Sequence, residues 1–353
     1  MLTNASILFL AFVLLLKPQF YHTTENAIII QMLSVITFCY YSFFSGGVGR
    51  SYFFFGMIFL FVLFPLTILF KITACYPMVV GILCVFERRR SFPVRDNEKA
   101  ALLLGVCFLF SFLLYQSHLG RYSLLNGDPN YTSLIFLTLI LVAHYISNSH
   151  LLKAFSVLFV FFIVFMTESR TAVIAVLAYF ICSKIKCKRF FSLSIFIFSI
   201  VSQYFSAYVF PRFISSMELG ENRFFDLNDT SNHERIMIYK QAVDYIGEHF
   251  YFFLSRGVTD YLAVNLNATN IPHNWFVQSI IGFGLIFTLV YSIVMMFYIA
   301  TTKHEHCYVL PFMCFFMIFG AFLSYYSLTS PLLVLCLMFP LISSSGFNIK
   351  RGV

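Results

Sequence analysis

The sequence predicts an all-α integral membrane bundle of about twelve transmembrane helices, with one long loop on its outer side. Three observations carry that expectation. The 353 residues are 60% hydrophobic and 11% charged, with a mean hydropathy of +0.84, whereas a soluble domain carries about 25% charged residues. Apolar runs long enough to cross a hydrocarbon core of roughly 30 Å recur along nearly the whole chain. In lipid every backbone amide must find its partner within the protein, so such runs fold as helices.

The expected spans are 5–20, 26–44, 52–70, 72–86, 99–116, 131–147, 152–167, 171–183, 190–209, 274–300, 308–323 and 328–343. The first lacks a basic leader and a small-residue cleavage site, so it is read as a retained span. The shortest, 72–86 and 171–183, are candidates for tilted or re-entrant segments. The whole chain, 1–353, is read as a single polytopic membrane domain, with the loop 211–272 inside it. The 48 phenylalanines and 21 tyrosines suit lipid-facing and helix-packing surface. The nine cysteines are scattered, mostly within apolar runs, and show neither CxxC nor Cys/His ligand spacing; they read as buried thiols.

Orientation follows from lysine and arginine bias in the short loops. Two clusters stand out: Glu87-Arg88-Arg89-Arg90 with Arg95 and Lys99, and the KIKCKR run at 184–189. Placing both in the cytoplasm also puts Arg50, Lys153, Lys303, Lys350 and Arg351 there, and both termini with them. The net charge of +8 is then a topology signal, and no nucleic-acid partner is implied. The outer side receives the long stretch 211–272. Loops of that length are functional or disordered. Within it, HERIMIYKQAVDYIGEHF (233–250) repeats apolar residues at helical spacing, which predicts an amphipathic helix able to lie on the membrane surface.

By this sidedness, one set of polar groups shares the outer face. GRYSLLNGDPNYTS (120–133) brings Arg121, Asp128 and Asn130; MTESRTA (166–172) brings Glu168 and Arg170; the loop helix brings Arg235; and NIPHNWFVQ (270–278) brings His273, Asn274 and the single tryptophan, Trp275. Ionisable groups close to hydrocarbon are costly and mark functional sites by default. Each also has a plain reading. Gly-Asp-Pro-Asn is a turn sequence. Ser169 or Thr171 can cap the next helix, and Asn274 can cap the one after it. Arg235 can pair with Glu234 or Asp229. Trp275 fits an interfacial anchor.

In order and wording these elements resemble the O-antigen polymerase (Wzy-type) and O-antigen ligase family of bacterial polytopic membrane glycosyltransferases. The resemblance covers roughly residues 117–300: Arg121 with DPN at 128–130, SRT at 169–171, Arg235 opening an amphipathic helix, and PHN at 272–274 followed by an apolar span with GFGL. FFLSRGV (252–258) departs from the glycine pattern usual after that helix.

The resemblance implies a GT-C-like bundle in the bacterial inner membrane, its active face periplasmic, with a periplasmic loop covering the site. It implies transfer of an undecaprenyl-pyrophosphate-linked oligosaccharide to an acceptor hydroxyl, with a chain-length regulator (co-polymerase) membrane protein as a partner and no cofactor. Guanidinium groups bind phosphate in a fixed fork and stay charged, so Arg170, Arg235 and Arg121 are the pyrophosphate candidates. His273 suits a general base at neutral pH, and Glu168 competes for that role. Asp128, Asn130 and Asn274 are candidates for sugar binding or loop positioning. No dense outer carboxylate motif suggests a metal site, and the expected chemistry is a metal-independent single displacement. The DPN element favours a polymerase over a ligase or a capsule or exopolysaccharide polymerase. A flippase or transporter of lipid-linked glycans is the reading from another class.

Overall fold

The computed structural model describes residues 50–69, 91–93, 96–113, 116–118, 121–123, 129–205, 230–249, 273–302, 304–323 and 343–345, with scattered positions between 32 and 83. The described chain is helical apart from two short antiparallel ribbons. One pairs β1 (Ser91–Pro93) with β4 (Ser343–Ser345), and the other pairs β2 (Gln116–His118) with β3 (Arg121–Ser123). Two compact units form: residues 1–172 with 327–353, and residues 173–326.

The first unit contains α1 (Arg50–Leu69), α2 (Asn97–Leu113), α3 (Pro129–Ile146) and α4 (His150–Thr167). Helix α3 is its centre. From Thr132 to Ala143 every residue is buried, as expected of a helix that is apolar all round. Helices α2 and α4 pack on it, and Phe108 meets Phe159 edge-on at 6.4 Å. Pro129 opens α3, where its missing N–H costs nothing and its fixed φ suits the first turn. At the opposite end of the helix one side chain sets the packing. Asn97 Oδ1 accepts from the N–H groups of Asn148 (2.8 Å) and Ser149 (3.1 Å), and Asp96 N–H donates to Ile146 O at 2.8 Å. The start of α2 therefore closes the turn between α3 and α4.

The second unit contains most of α5 (Arg170–Lys184), then α6 (Lys188–Tyr204), α7 (Thr230–His249), α8 (Trp275–Phe283), α9 (Leu285–Thr301), a 3-10 turn (His304–Val309) and α10 (Leu310–Phe322). Here α10 is the buried centre: Leu310 to Ala321 are all buried. Helix α6 lays Ser192, Phe196 and Ser199 on the inner side, all buried. Small residues let helix backbones approach closely. Ser192 Oγ lies 3.2 Å from Cys314 Sγ on α10 and 3.6 Å from Cys182 Sγ on α5.

Helix boundaries fall close to the expected spans, with one correction. The run 274–300 is not a continuous helix. It breaks at Gly284, whose φ of 91° and ψ of 166° belong to a region open essentially to glycine alone. The Gly284 carbonyl is not wasted: Thr288 donates to it through N–H at 3.2 Å and Oγ1 at 2.9 Å. The expected span 5–20 lies outside the described residues, as do 26–44 and 72–86 but for scattered positions and 328–343 but for Ser343, and the loop 211–272 is described only at α7. By length and composition α4 can cross a membrane by itself, and the apolar stretches Tyr52–Pro65, Thr132–Ile146, Leu285–Thr301 and Cys307–Phe322 are shorter.

The outward faces are as apolar as the cores. Leu151, Leu158, Phe161 and Phe165 on α4, Phe54, Ile58 and Phe61 on α1, and Leu289, Ile293 and Phe297 on α9 are all exposed. Helical periodicity is thus present, but both sides of the pattern are greasy. A water-soluble protein rarely shows contiguous apolar surface on a large scale; faces of this composition suit hydrocarbon.

Candidate functional site

The first unit brings together two of the stretches singled out in the sequence, 120–133 and 166–172. Thr167 ends α4, its hydroxyl turned back to Ile163 O at 2.8 Å. Glu168 follows with φ 46° and ψ 36° and closes the helix through its N–H to Phe165 O at 3.3 Å. It is the one non-glycine residue at positive φ among the described residues. Glycine is the usual residue at a left-handed helix end. A glutamate there carries a strain of roughly 1–2 kcal/mol, so its carboxylate is held where packing alone would select against it. Ser169 is buried and caps α5: its Oγ accepts from Ala172 N–H at 3.3 Å. The same oxygen donates to Asn130 Oδ1 at 2.8 Å. Arg170 is the first residue of α5, and both it and Glu168 are half-buried. Strand β3, with the backbone of Arg121, packs on α3 and α4. Asp128 lies outside the described residues.

The second unit holds Arg235, His273 and Asn274. Asn274 is fully buried. Its Oδ1 accepts from Phe276 N–H (2.9 Å) and Val277 N–H (3.2 Å), which caps α8. Its Nδ2 donates to Ser199 O (3.0 Å), Ser202 Oγ (3.3 Å) and Ala321 O (3.2 Å). One amide thereby ties the start of α8 to the ends of α6 and α10. Of the two roles open to Asn274, this geometry suits positioning, because its polar atoms are engaged within the protein. His273 precedes it at a half-buried bend.

Trp275 is a core residue rather than an interfacial anchor. It is 6% exposed, donates from Nε1 to Ser199 Oγ at 3.0 Å, and stacks obliquely on Phe196 at 5.7 Å. The interfacial preference of tryptophan gives way here to a buried hydroxyl that satisfies the indole N–H. Helix α7, expected over 233–250, runs Thr230–His249. It turns Tyr239, Ala242 and Tyr245 inward, and Ala242, Tyr245 and Ile246 pack with Val277 and Ile281 of α8. That part of its apolar face is therefore spent on protein, while Met237 stays exposed. The backbone of Arg235 lies on this helix, one turn before Tyr239.

Residues 155–292 match the family model described as O-antigen ligase. The match supports the O-antigen ligase/polymerase family, whose members are integral membrane proteins with glycosyltransferase-like activity. It contains Glu168, Arg170, Arg235, His273 and Asn274, while Arg121, Asp128 and Asn130 precede it. No curated protein and no solved structure matches the chain. Sequence reading did not find Ser199 and Ser202 as partners of the His273-Asn274 element. They are single serines in an apolar run, and only the helix packing brings them to Asn274.

Proposed function

We propose that the protein is an O-antigen polymerase. It transfers an undecaprenyl-pyrophosphate-linked glycan to the hydroxyl of another lipid-linked repeat unit, at the periplasmic face of the bacterial inner membrane. The observation that carries this reading is the family match over 155–292; the DPN element at 128–130 favours the polymerase. The single polytopic domain, about twelve spans and cytoplasmic termini proposed with it rest on apolar runs and charge bias.

The acceptor hydroxyl oxygen attacks the anomeric carbon, and the bond from that carbon to the pyrophosphate oxygen breaks. The electron pair leaves with the pyrophosphate, and the hydroxyl proton goes to His273, with Glu168 as the competing base. Arg170, Arg235 and Arg121 meet the charge that develops on the leaving group, a task for which preorganised donors are worth most. No metal is required for a leaving group met by three guanidinium groups. Asp128 and Asn130 serve the sugars or the loop that carries them, and Asn274 holds the turn beside His273. A single displacement inverts the anomeric configuration.

The description of the matched family model favours a second reading, an O-antigen ligase that transfers the glycan to lipid A-core. Lipopolysaccharide banding in a strain deleted for the gene separates the readings. A single core-plus-one-repeat band in place of the ladder is the polymerase result. Bare core with lipid-linked polymer accumulating is the ligase result. Bare core with unpolymerised lipid-linked repeats retained on the cytoplasmic face overturns both in favour of a flippase.

A further inference from the structure

We infer that Ser169 is a positioning residue for the transfer reaction: through one hydrogen bond to Asn130 it sets the backbone that carries Glu168 and Arg170. The inference rests on the proposed roles of those two neighbours.

Ser169 is 1% exposed, while Glu168 and Arg170 on either side are half-buried. A serine that only capped α5 would need no more than the Ala172 N–H at 3.3 Å. This one also donates to Asn130 Oδ1 at 2.8 Å, across 39 residues of chain. Asn130 is itself fixed. It follows the buried Pro129 in the first turn of α3, and its carbonyl oxygen accepts from Ser133 Oγ at 2.7 Å. The Glu-Ser-Arg turn is therefore pinned to the buried central helix of its unit, and the pin lies between the two residues the chemistry would use. The Ser169 hydroxyl is withdrawn from water and cannot turn to solvent instead, which strengthens its bond to the half-buried Asn130 amide. The left-handed conformation of Glu168 needs such support, since strained backbone persists only where the surroundings over-determine it.

The test uses the full chain in lipid nanodiscs with a lipid-linked repeat unit as substrate. Ser169→Ala lowers kcat by roughly tenfold to hundredfold, the scale of a small misplacement of reacting groups, with KM little changed. Ser169→Thr, which keeps the hydroxyl, recovers most of the loss, and Ser169→Val does not. Asn130→Ala loses a similar factor, and the double variant is no worse than either single one, because both remove the same bond. Should Ser169→Ala fail to insert, the Thr and Val variants give the same comparison. A Ser169→Ala enzyme with wild-type kcat overturns the inference, as do losses that multiply in the double variant. Arg170→Ala and Glu168→Gln separate this from the underlying reading. If both turn over normally, the proposed site is wrong. If Arg170→Ala is inactive while Ser169→Ala is not, only the positioning role fails.

Discussion

The side-chain nitrogen of Asn274 donates to the carbonyl oxygen of Ala321 at 3.2 Å, while the side-chain oxygen accepts from Phe276 N–H at 2.9 Å. One buried amide thus joins a helix start to a helix end 47 residues away. Asn274→Asp keeps the cap but turns a second oxygen toward the carbonyls of Ser199 and Ala321. Asn274→Ala loses both functions, and each buried group left unpaired costs about 1–3 kcal/mol. Thermal unfolding of detergent-solubilised protein reads the effect. Both variants unfold at lower temperature than the wild type, and Asp is no better tolerated than Ala at neutral pH. An Asp variant with wild-type stability contradicts the network.

The helices of this fold are visible in the sequence because lipid imposes them. Runs such as 131–147 and 152–167 differ from α3 and α4 by at most two residues at either end, and the differences at the starts come from caps such as Pro129 and Ser149. The break at Gly284 is invisible to hydropathy, since Phe283 and Leu285 are as apolar as any residues in the run. Trp275 follows interfacial statistics only until Ser199, Phe196 and Tyr291 are placed around it. Asn274 is recognisable as a cap from its position before an apolar helix, yet its partners on α6 and α10 are fixed by packing over long separations. The Ser169–Asn130 bond was equally out of reach: the sequence shows two polar motifs, and only the pairing of α3 with α4 and the start of α5 makes them neighbours.

Glu168 offers a test in which stability and activity part ways. Its φ of 46° costs a non-glycine residue roughly 1–2 kcal/mol. Glycine removes that strain, offset by about 0.5–1 kcal/mol of added chain entropy. Glu168→Gly is therefore as stable as the wild type or slightly more so, and Glu168→Ala is less stable than Glu168→Gly. If the carboxylate serves the reaction, both lose turnover alike. Unfolding temperatures and transfer rates measured on the same preparations check the ordering. An active glycine variant removes Glu168 from the list of bases.

Gly284 predicts the opposite behaviour. Its conformation, φ 91° and ψ 166°, admits no side chain without strain of about 1–3 kcal/mol. Gly284→Ala lowers the unfolding temperature although alanine is the better helix former. If the break between α8 and α9 were incidental, alanine would join them into one helix and raise stability. The sign of the change in unfolding temperature decides between the two.

Asp96 gives the fold an acid-sensitive element at the start of α2. Burial pushes its carboxyl upward, but the hydrogen bonds from Lys99 N–H, the Lys99 ammonium and Glu98 N–H outweigh that and hold it below the usual carboxylate range. Both N–H contacts are 3.1 Å, and Lys99 Nζ lies 3.3 Å from Oδ2. A carboxylate with a depressed folded-state pKa stabilises above the unfolded value, and that stabilisation is lost as pH falls through the folded one. Asp96→Asn therefore lowers stability at neutral pH and narrows the gap to wild type as the solution is acidified below the ordinary carboxylate range. Added salt shrinks the contribution from Lys99, because the pair is partly exposed. Unfolding temperatures of both proteins across a pH series, at low and high salt, measure the two effects, and parallel curves at all pH values would show that Asp96 carries no pH-dependent stability.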